Sequence, residues 1–183
     1  MKLSIPFSAQ SKTVSLAAIL LLSCMTLGLT GCGEETVENP VKGKVAPDFT
    51  VTNLKSGDEG KLSDYQGKIV VLDFWASWCG PCQAPMAKMQ TYRELHPDWA
   101  DKVELISISI DDTQDAANSH LDQKSWHDTL NVWIGRESAA AKAYAGRGIP
   151  ACYILDEKGV IMVSGNPNGM DISNVVDGML KGS

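Results

Sequence analysis

Two cysteines, Cys79 and Cys82, lie three positions apart in the stretch DFWASWCGPCQAP and are the residues best suited to carry chemistry. Such a pair can form a stabilising disulfide, supply half of a metal site, or open and close as a redox couple. As a stabilising crosslink it would be weak, because closing so short a loop removes little entropy from the unfolded chain.

A zinc site at this pair would need further cysteine or histidine ligands. The candidates are Cys152 and three histidines, His96, His120 and His127, whose positions show no ligand spacing. A c-type haem would require histidine directly after the second cysteine, where Gln83 stands. We therefore expect no metal, and no cofactor other than the redox-active disulfide itself.

The elements that must position the pair follow from apolar periodicity. Segment 69–75 is typical of a strand buried on both faces, and apolar residues at helical spacing run from Cys79 to a stop at His96 and Pro97. Further strands are predicted at 48–54, 103–111, 129–135, 151–156 and 160–165, and helices at 112–124, 137–146 and 171–182. This alternation predicts an α/β fold, with a central sheet flanked by helices on both faces and a late antiparallel hairpin.

The pair falls where a buried strand gives way to a helix, beyond the carboxyl end of that strand. The first turn of a helix carries free N–H groups and partial positive charge, which lower the pKa of a cysteine thiol placed there. We therefore expect Cys79 to be an exposed nucleophile that forms a mixed disulfide with substrate. Cys82, one turn deeper, would resolve it.

The amino-terminal region predicts export. Lys2 and Lys12 precede an apolar stretch that ends in small residues, the pattern of a secretory signal peptide. Its last residues, LTGC, resemble the bacterial lipobox, in which the chain is cut before the cysteine and Cys32 carries lipid. An ordinary signal peptide and a single membrane-spanning anchor are the alternatives. The expected organisation is a cleaved signal peptide at 1–31, a lipidated cysteine and flexible tether at 32–46, and one domain at 47–183.

Three stretches together carry a resemblance to a known family. VVLDFWASWCGPC resembles thioredoxin and, more broadly, the exported, membrane-anchored TlpA/ResA-type thioredoxin-like proteins. YAGRGIPACYILDEKGVI and APDFTVTNL, followed by LSDYQGK, are similar to two further segments of that family. The resemblance implies a thioredoxin fold with a central mixed sheet, an N-terminal strand extension and a short central insertion. It also implies thiol-disulfide oxidoreductase activity.

The resemblance assigns roles around the cysteines. Cys79 matches the nucleophile and Cys82 the resolving thiol, while Trp78 matches the tryptophan that flanks the site. The residues between the cysteines, Gly80 and Pro81, are expected to contact substrate as well. Pro81 also suits a first helical turn, because its missing N–H is not needed there.

Two residues outside the motif complete the implied site. Pro150 matches the family's cis-proline, and Ile149 before it would offer its backbone to an extended substrate. Asp73 matches the buried aspartate beneath the second cysteine, where a raised pKa would let it accept the Cys82 proton. The alternatives are a plain loop proline at Pro150, and an exposed edge or salt-bridged position at Asp73.

Two residues depart from the family pattern. Pro85 stands where TlpA/ResA-type proteins often have glutamate, and Ala87 stands where they have proline. We expect Pro85 to kink or tighten the helix near the site. Cys152, two residues after Pro150, is either an inert core thiol or a third redox thiol.

The remaining expectations concern partners. A net charge of −6 provides no basic surface for nucleic acid. The Gly-Pro dipeptide favours a reductant, which implies disulfide-containing protein substrates and a membrane thiol electron donor. We expect a monomer, lipid-anchored in a bacterial cell envelope and facing the periplasm or another extracytoplasmic space. The competing hypothesis is a binding protein that holds an apo-cytochrome, metal or partner without turnover.

Overall fold

The computed structural model describes residues 36–182, so the signal peptide and lipidated Cys32 predicted above lie outside the described residues. Within this range one mixed sheet of seven strands has the order β2-β1-β5-β4-β3-β6-β7. The strands are β1 (Thr50–Asn53), β2 (Glu59–Lys61), β3 (Ile69–Trp75), β4 (Val103–Ser109), β5 (Leu130–Trp133), β6 (Ala151–Leu155) and β7 (Ile161–Gly165). The helices are α1 (Gln83–Leu95), α2 (Gln114–Lys124), α3 (Ala139–Ala145) and α4 (Ile172–Gly182). None of the helices in this range has the length and apolar character that crossing a bilayer requires.

Strand β3 lies inside the sheet and has the bounds that its apolar run predicts. It pairs in parallel with β4 and antiparallel with β6, and all seven of its residues are buried. Burial on both faces explains why its sequence is a continuous apolar run rather than an alternating one.

Helices cover both faces of the sheet, as predicted. On one face, Val71 of β3 packs in a cluster with Met89 of α1 and Val176 of α4. On the other face, Phe74 packs with Tyr144 of α3, their rings stacked with centroids 5.4 Å apart. Apolar burial therefore fixes helix α1 against β3, which also fixes the position of the segment that connects them.

The start of α1 differs from the prediction. Gly80–Cys82 form a 3-10 turn, with Cys79 as its extended N-cap, and the α-helix begins only at Gln83. Pro85 explains the difference, because it has no N–H to donate to the carbonyl of Pro81, as a continuous α-helix would require. Pro85 falls in the first turn of α1, where a proline is tolerated.

The amino-terminal boundary also differs from the prediction. Residues 43–46, assigned above to the tether, run along the first part of β7. Gly43 N–H donates to the Ile161 carbonyl, Ile161 N–H donates to the Lys44 carbonyl, and Ala46 N–H donates to the Gly159 carbonyl. This segment is short and begins with glycine and lysine, so it shows no alternation of apolar and polar residues that would predict its pairing with a distant strand. The predicted tether is therefore shorter than residues 32–46.

Candidate active site

Cys79 and Cys82 are joined by a disulfide, with their Cα atoms 5.4 Å apart. Cys79 is 4% exposed and Cys82 is fully buried. The expected order of depth is present, but the prediction of an openly exposed Cys79 is wrong for this oxidised state. The disulfide packs with Met86 in the same buried cluster, which accounts for the low exposure of both sulfurs.

The neighbours of Cys79 are the exposed part of the site. Trp78 is 53% exposed, and Gly80 and Pro81 are exposed beside it. The guanidinium of Arg136 lies 4.8 Å from the centroid of the Trp78 ring, within the range of a cation–π contact. The indole is thereby held at the rim of the site while one of its faces is covered.

Asp73 is buried two residues before the end of β3, on the side of the sheet that α1 covers. Its register partners are Ser107 on β4 and Cys152 on β6, and its side chain follows Ile69 and Val71 on that face. Neither carboxyl oxygen has a hydrogen-bond partner. Burial raises the pKa of Asp73 from 3.8 to about 8, because the charged form is poorly solvated there. In the folded protein the Asp73 carboxyl is therefore largely protonated at neutral pH.

Cys152 is a fully buried free thiol directly across the ladder from Asp73. Burial, and next the nearby Asp73 carboxyl, raise the pKa of this thiol far above its ordinary value. Since a thiolate rather than a thiol attacks disulfides, the structure favours the interpretation of Cys152 as a core residue.

The Ile149–Pro150 peptide bond is cis, as the resemblance implied. Pro150 is buried and Ile149 is half-buried immediately before β6, whose first residue, Ala151, pairs with Phe74 of β3. The segment therefore lies at the same end of the sheet as Cys79, which follows β3 by four residues.

Asp111 is a positioning residue that the sequence analysis missed. Its buried carboxylate accepts the Ser77 N–H at 3.0 and 3.1 Å, the Ser77 hydroxyl at 2.6 Å and the Ser109 hydroxyl at 2.9 Å. Ser77 precedes Trp78 and Cys79, so Asp111 fixes the backbone from which both extend. The sequence feature that could have indicated this role is a charged residue just after the apolar strand β4. Strand β4 ends beside β3, so a residue at that place lies near the segment that leads to Cys79.

Gln83 and His120 form a second unpredicted contact to the site. Gln83 Nε2 donates to the Cys79 carbonyl at 3.2 Å, and Gln83 Oε1 lies 3.0 Å from Nε2 of His120. Burial lowers the pKa of His120, and the Lys124 charge lowers it further. The imidazole is thus favoured in its neutral form, and it joins α2 to the first residue of α1.

Asn168 holds the turn between the cysteines from the opposite side. It belongs to a short 3-10 segment, Pro167–Gly169, after β7, and its Nδ2 donates to the Pro81 carbonyl at 3.1 Å. This is the carbonyl that Pro85 leaves without an α-helical donor. The exposed amide therefore replaces a hydrogen bond that the helix itself cannot make.

Comparison with known proteins places this geometry in a family. The AhpC/TSA family model matches residues 42–164. The chain belongs to that family. It is 34% identical over 147 residues to the thiol-disulfide oxidoreductase ResA of Bacillus thuringiensis subsp. konkukian, covering 79% of this chain and 82% of that protein. It is also 34% identical to the thioredoxin-like protein YneN of Bacillus subtilis, covering 80% of this chain and 85% of that protein.

Solved structures agree with this assignment. A putative thiol:disulfide interchange protein DsbE from Chlorobium tepidum superimposes with a TM-score of 0.64 at 25% identity, over 79% of this chain and 98% of that one. A putative thiol-disulfide oxidoreductase from Bacteroides vulgatus, 22% identical, shares the fold with a TM-score of 0.66, over 76% of this chain and 96% of that one. The chain is a thioredoxin-like thiol-disulfide oxidoreductase, and Cys79 and Cys82 are its cysteine pair.

Proposed function

We propose that this oxidoreductase works as a reductant of protein disulfides in an extracytoplasmic space. The observation that supports the reducing direction is the Gly-Pro dipeptide between the cysteines, which it shares with thioredoxin. In the forward direction the Cys79 thiolate attacks a substrate disulfide, releases one substrate thiol and forms a mixed disulfide. Cys82 then attacks the Cys79 sulfur, releases the second substrate thiol and leaves the pair oxidised, the state that the structure contains.

In this mechanism Asp73 accepts the proton that Cys82 must lose before it attacks. The proposal is supported by the burial of the carboxyl, its missing hydrogen-bond partners and a pKa of about 8. A base with a pKa near the working pH combines a useful deprotonated fraction with enough basicity to take a thiol proton.

Substrate would lie across the exposed rim of the site. Trp78, Gly80 and Pro81 present accessible surface beside the disulfide, and Ile149 would offer its backbone to an extended segment. Backbone pairing of this kind depends little on sequence, which suits an enzyme that acts on several protein disulfides.

The cellular setting is part of the proposal. A signal peptide at 1–31 would direct export and then be cleaved, and lipid on Cys32 would anchor a monomeric domain in the cell envelope. A membrane thiol carrier would re-reduce the pair. The test is membrane fractionation of a Cys32→Ser variant, which we expect to be released. A variant that stays as firmly bound as the wild type would contradict lipid anchoring.

Direct assay of the purified protein tests the activity and its direction. We expect reduction of a disulfide-containing test protein, abolished by Cys79→Ser. Equilibration with glutathione should give a potential near thioredoxin's, about −270 mV, whereas a value near DsbA's, about −120 mV, would reverse the direction. Absence of any exchange would instead support a binding protein without turnover.

A further inference from the structure

We propose that a cleft beside Pro150 is a subsite for an acidic residue of the substrate, with Arg147 as the residue that recognises it. The inference rests on the proposed function, because it names which protein segments the site would prefer. The cleft has a volume of about 430 Å³ and lies between the segment that precedes β6 and the end of β7.

The walls of the cleft come from two short segments. Residues 147–150 line it on one side and residues 164–166 on the other, with Tyr144 and Tyr153 also contributing to its lining. Tyr153 donates its hydroxyl to the Tyr144 carbonyl at 2.8 Å, and Tyr144 donates its own to the Pro47 carbonyl at 2.6 Å. Both phenol hydroxyls thus already have acceptors in the fold, and Arg147 is the charged residue among the described residues of the lining.

Both segments are linked to the elements that hold the disulfide. On one side, Ala151 of β6 pairs with Phe74 of β3, the strand that leads to Cys79. On the other side, the segment that contains Asn166 continues to Asn168, whose amide holds the Pro81 carbonyl between the two cysteines. A chain that places its cysteine at Cys79 would therefore extend into the cleft within a few residues, at about 3.3 Å per residue.

Arg147 brings to this cleft a positive charge that is close to the Tyr153 hydroxyl and has no counter-charge among the described residues. Its side chain is exposed, and among residues 36–182 it forms neither an ion pair nor a hydrogen bond. Arg136, on the Trp78 side, differs because it stacks on the indole and lies 3.8 Å from a carboxylate oxygen of Asp112. Of the described residues that line the cleft, Arg147 alone is charged.

The chemistry of the cleft favours a carboxylate. A guanidinium binds a carboxylate through two parallel hydrogen bonds, which gives direction as well as attraction. Ser164 and Asn166 add polar side chains on the facing wall, and Ile149 and Pro150 add apolar surface for the stem of the bound residue. The structure thus assigns to the cleft a glutamate or aspartate close in sequence to the target cysteine.

The test uses the reduced full chain and peptides with a single cysteine, each joined through a disulfide to thionitrobenzoate. The peptides carry glutamate, glutamine or lysine at successive positions on either side of the cysteine. Attack by Cys79 on the peptide sulfur releases thionitrobenzoate, which is measured by its absorbance. At one or two positions we expect the glutamate peptide to react about 5- to 10-fold faster than the glutamine peptide, as one charge-assisted hydrogen-bond pair allows.

Three variants make the result specific. Arg147→Gln should bring the glutamate-to-glutamine rate ratio down to about 1, and Arg147→Lys should restore part of the preference. Lys158→Gln removes the same charge from the turn between β6 and β7, at the opposite end of these strands, and should keep the full preference. High salt should weaken the preference, because the Debye length falls to about 3 Å at 1 M.

The outcomes separate the subsite from the activity. Equal glutamate-to-glutamine ratios in the wild type and in Arg147→Gln at every position would overturn the subsite and leave the reductase intact. Failure of the wild-type protein to react with any peptide disulfide would overturn the proposed reductase activity, and the subsite with it. An unchanged unfolding temperature in Arg147→Gln would show that its effect does not come from misfolding.

Discussion

At the scale of single residues, Asp73 has the most unusual environment of the site. A carboxyl in the middle of an apolar strand is predictable from sequence as buried, and the role of proton acceptor that we propose for it comes from the resemblance. The sequence could not show that Ser107 and Cys152, its two register partners, leave both carboxyl oxygens without a hydrogen bond. Whether the Asp73 carboxyl finds a hydrogen-bond partner depends on which strands become neighbours in the sheet.

Replacement of Asp73 by asparagine should slow resolution of the mixed disulfide more than its formation. Asparagine keeps the shape of the side chain but cannot accept the Cys82 proton, so we expect resolution to slow by about 10²-fold, the scale of a lost general base. Stopped-flow measurement with a chromogenic disulfide separates the two steps. Equal effects on both steps would contradict the role of Asp73 as base.

The same carboxyl should make the stability of the protein depend on pH. The pKa of Asp73 is about 8 in the folded protein, above the value of 3.8 for the unfolded chain. The contribution of this group to stability is therefore fully present below pH 3.8 and is lost as the pH rises towards 8. Between these two pH values the folded protein holds up to one proton more than the unfolded chain. The free energy of unfolding therefore falls by up to about 1.4 kcal/mol for each unit that the pH rises.

Asp73→Asn provides the matched control for this pH effect, because it lacks the titrating group. We expect urea unfolding to show the wild type losing stability relative to the variant as pH rises from 4 to 8. A constant difference between the two proteins across this range would show that Asp73 ionises normally in the folded state.

At the scale of elements, the start of α1 depends on a contact from outside the helix. Pro85 leaves the Pro81 carbonyl without a helical donor, and Asn168 supplies one from the segment after β7. A proline in the first turn predicts the missing bond from sequence alone. The replacement donor could not be predicted, because Asn168 lies 87 positions away and its exposed amide shows no pattern.

A double-mutant cycle should measure this replacement. In the wild-type background, Asn168→Ala should lower the free energy of unfolding by about 1 kcal/mol, the net value of one hydrogen bond. In a Pro85→Ala background the new N–H can reach the Pro81 carbonyl, so the same change should cost clearly less. Identical costs in the two backgrounds would mean that Asn168 and Pro85 are not coupled through this carbonyl.

The elements were predicted best where one physical signal dominated. The run Ile69–Trp75 predicted a fully buried strand with its bounds, because burial on both faces leaves only apolar choices. The strand β2 was missed, since Glu59–Lys61 is a short exposed strand in a segment rich in turn residues. Asp111 and His120 were missed as contributors to the site because each acts on Cys79 through a neighbouring backbone or side chain.

At the scale of the whole molecule, the structure places the start of the folded domain before Pro47. Residues 43–46 add three backbone hydrogen bonds along β7 and its turn, and Val37 packs against the core cluster still earlier in the chain. The prediction placed this segment in the tether because its composition is that of a linker. Residues 43–46 pair with a strand that is distant in sequence, so the residues of this segment alone do not predict the pairing.

A chain that begins at Pro47 should therefore be less stable than one that begins at Thr36. Loss of three backbone hydrogen bonds predicts a decrease of about 3 kcal/mol in the free energy of unfolding, at about 1 kcal/mol each. Thermal and urea unfolding of the two chains provide the measurement. A third chain that begins at Val41 isolates the contribution of Val37, and equal stability of all three would place the boundary where the sequence predicted it.

The segment 43–46 also has a consequence for how copies of this protein meet one another. An unpaired strand edge is a template onto which a second sheet can add, and natural proteins protect such edges. Here the outward backbone groups of Ile161 are already occupied by Gly43 and Lys44, while the opposite edge strand, β2, has only three residues. The first part of β7 and the short strand β2 thus offer little continuous backbone for self-association through the edges of the sheet.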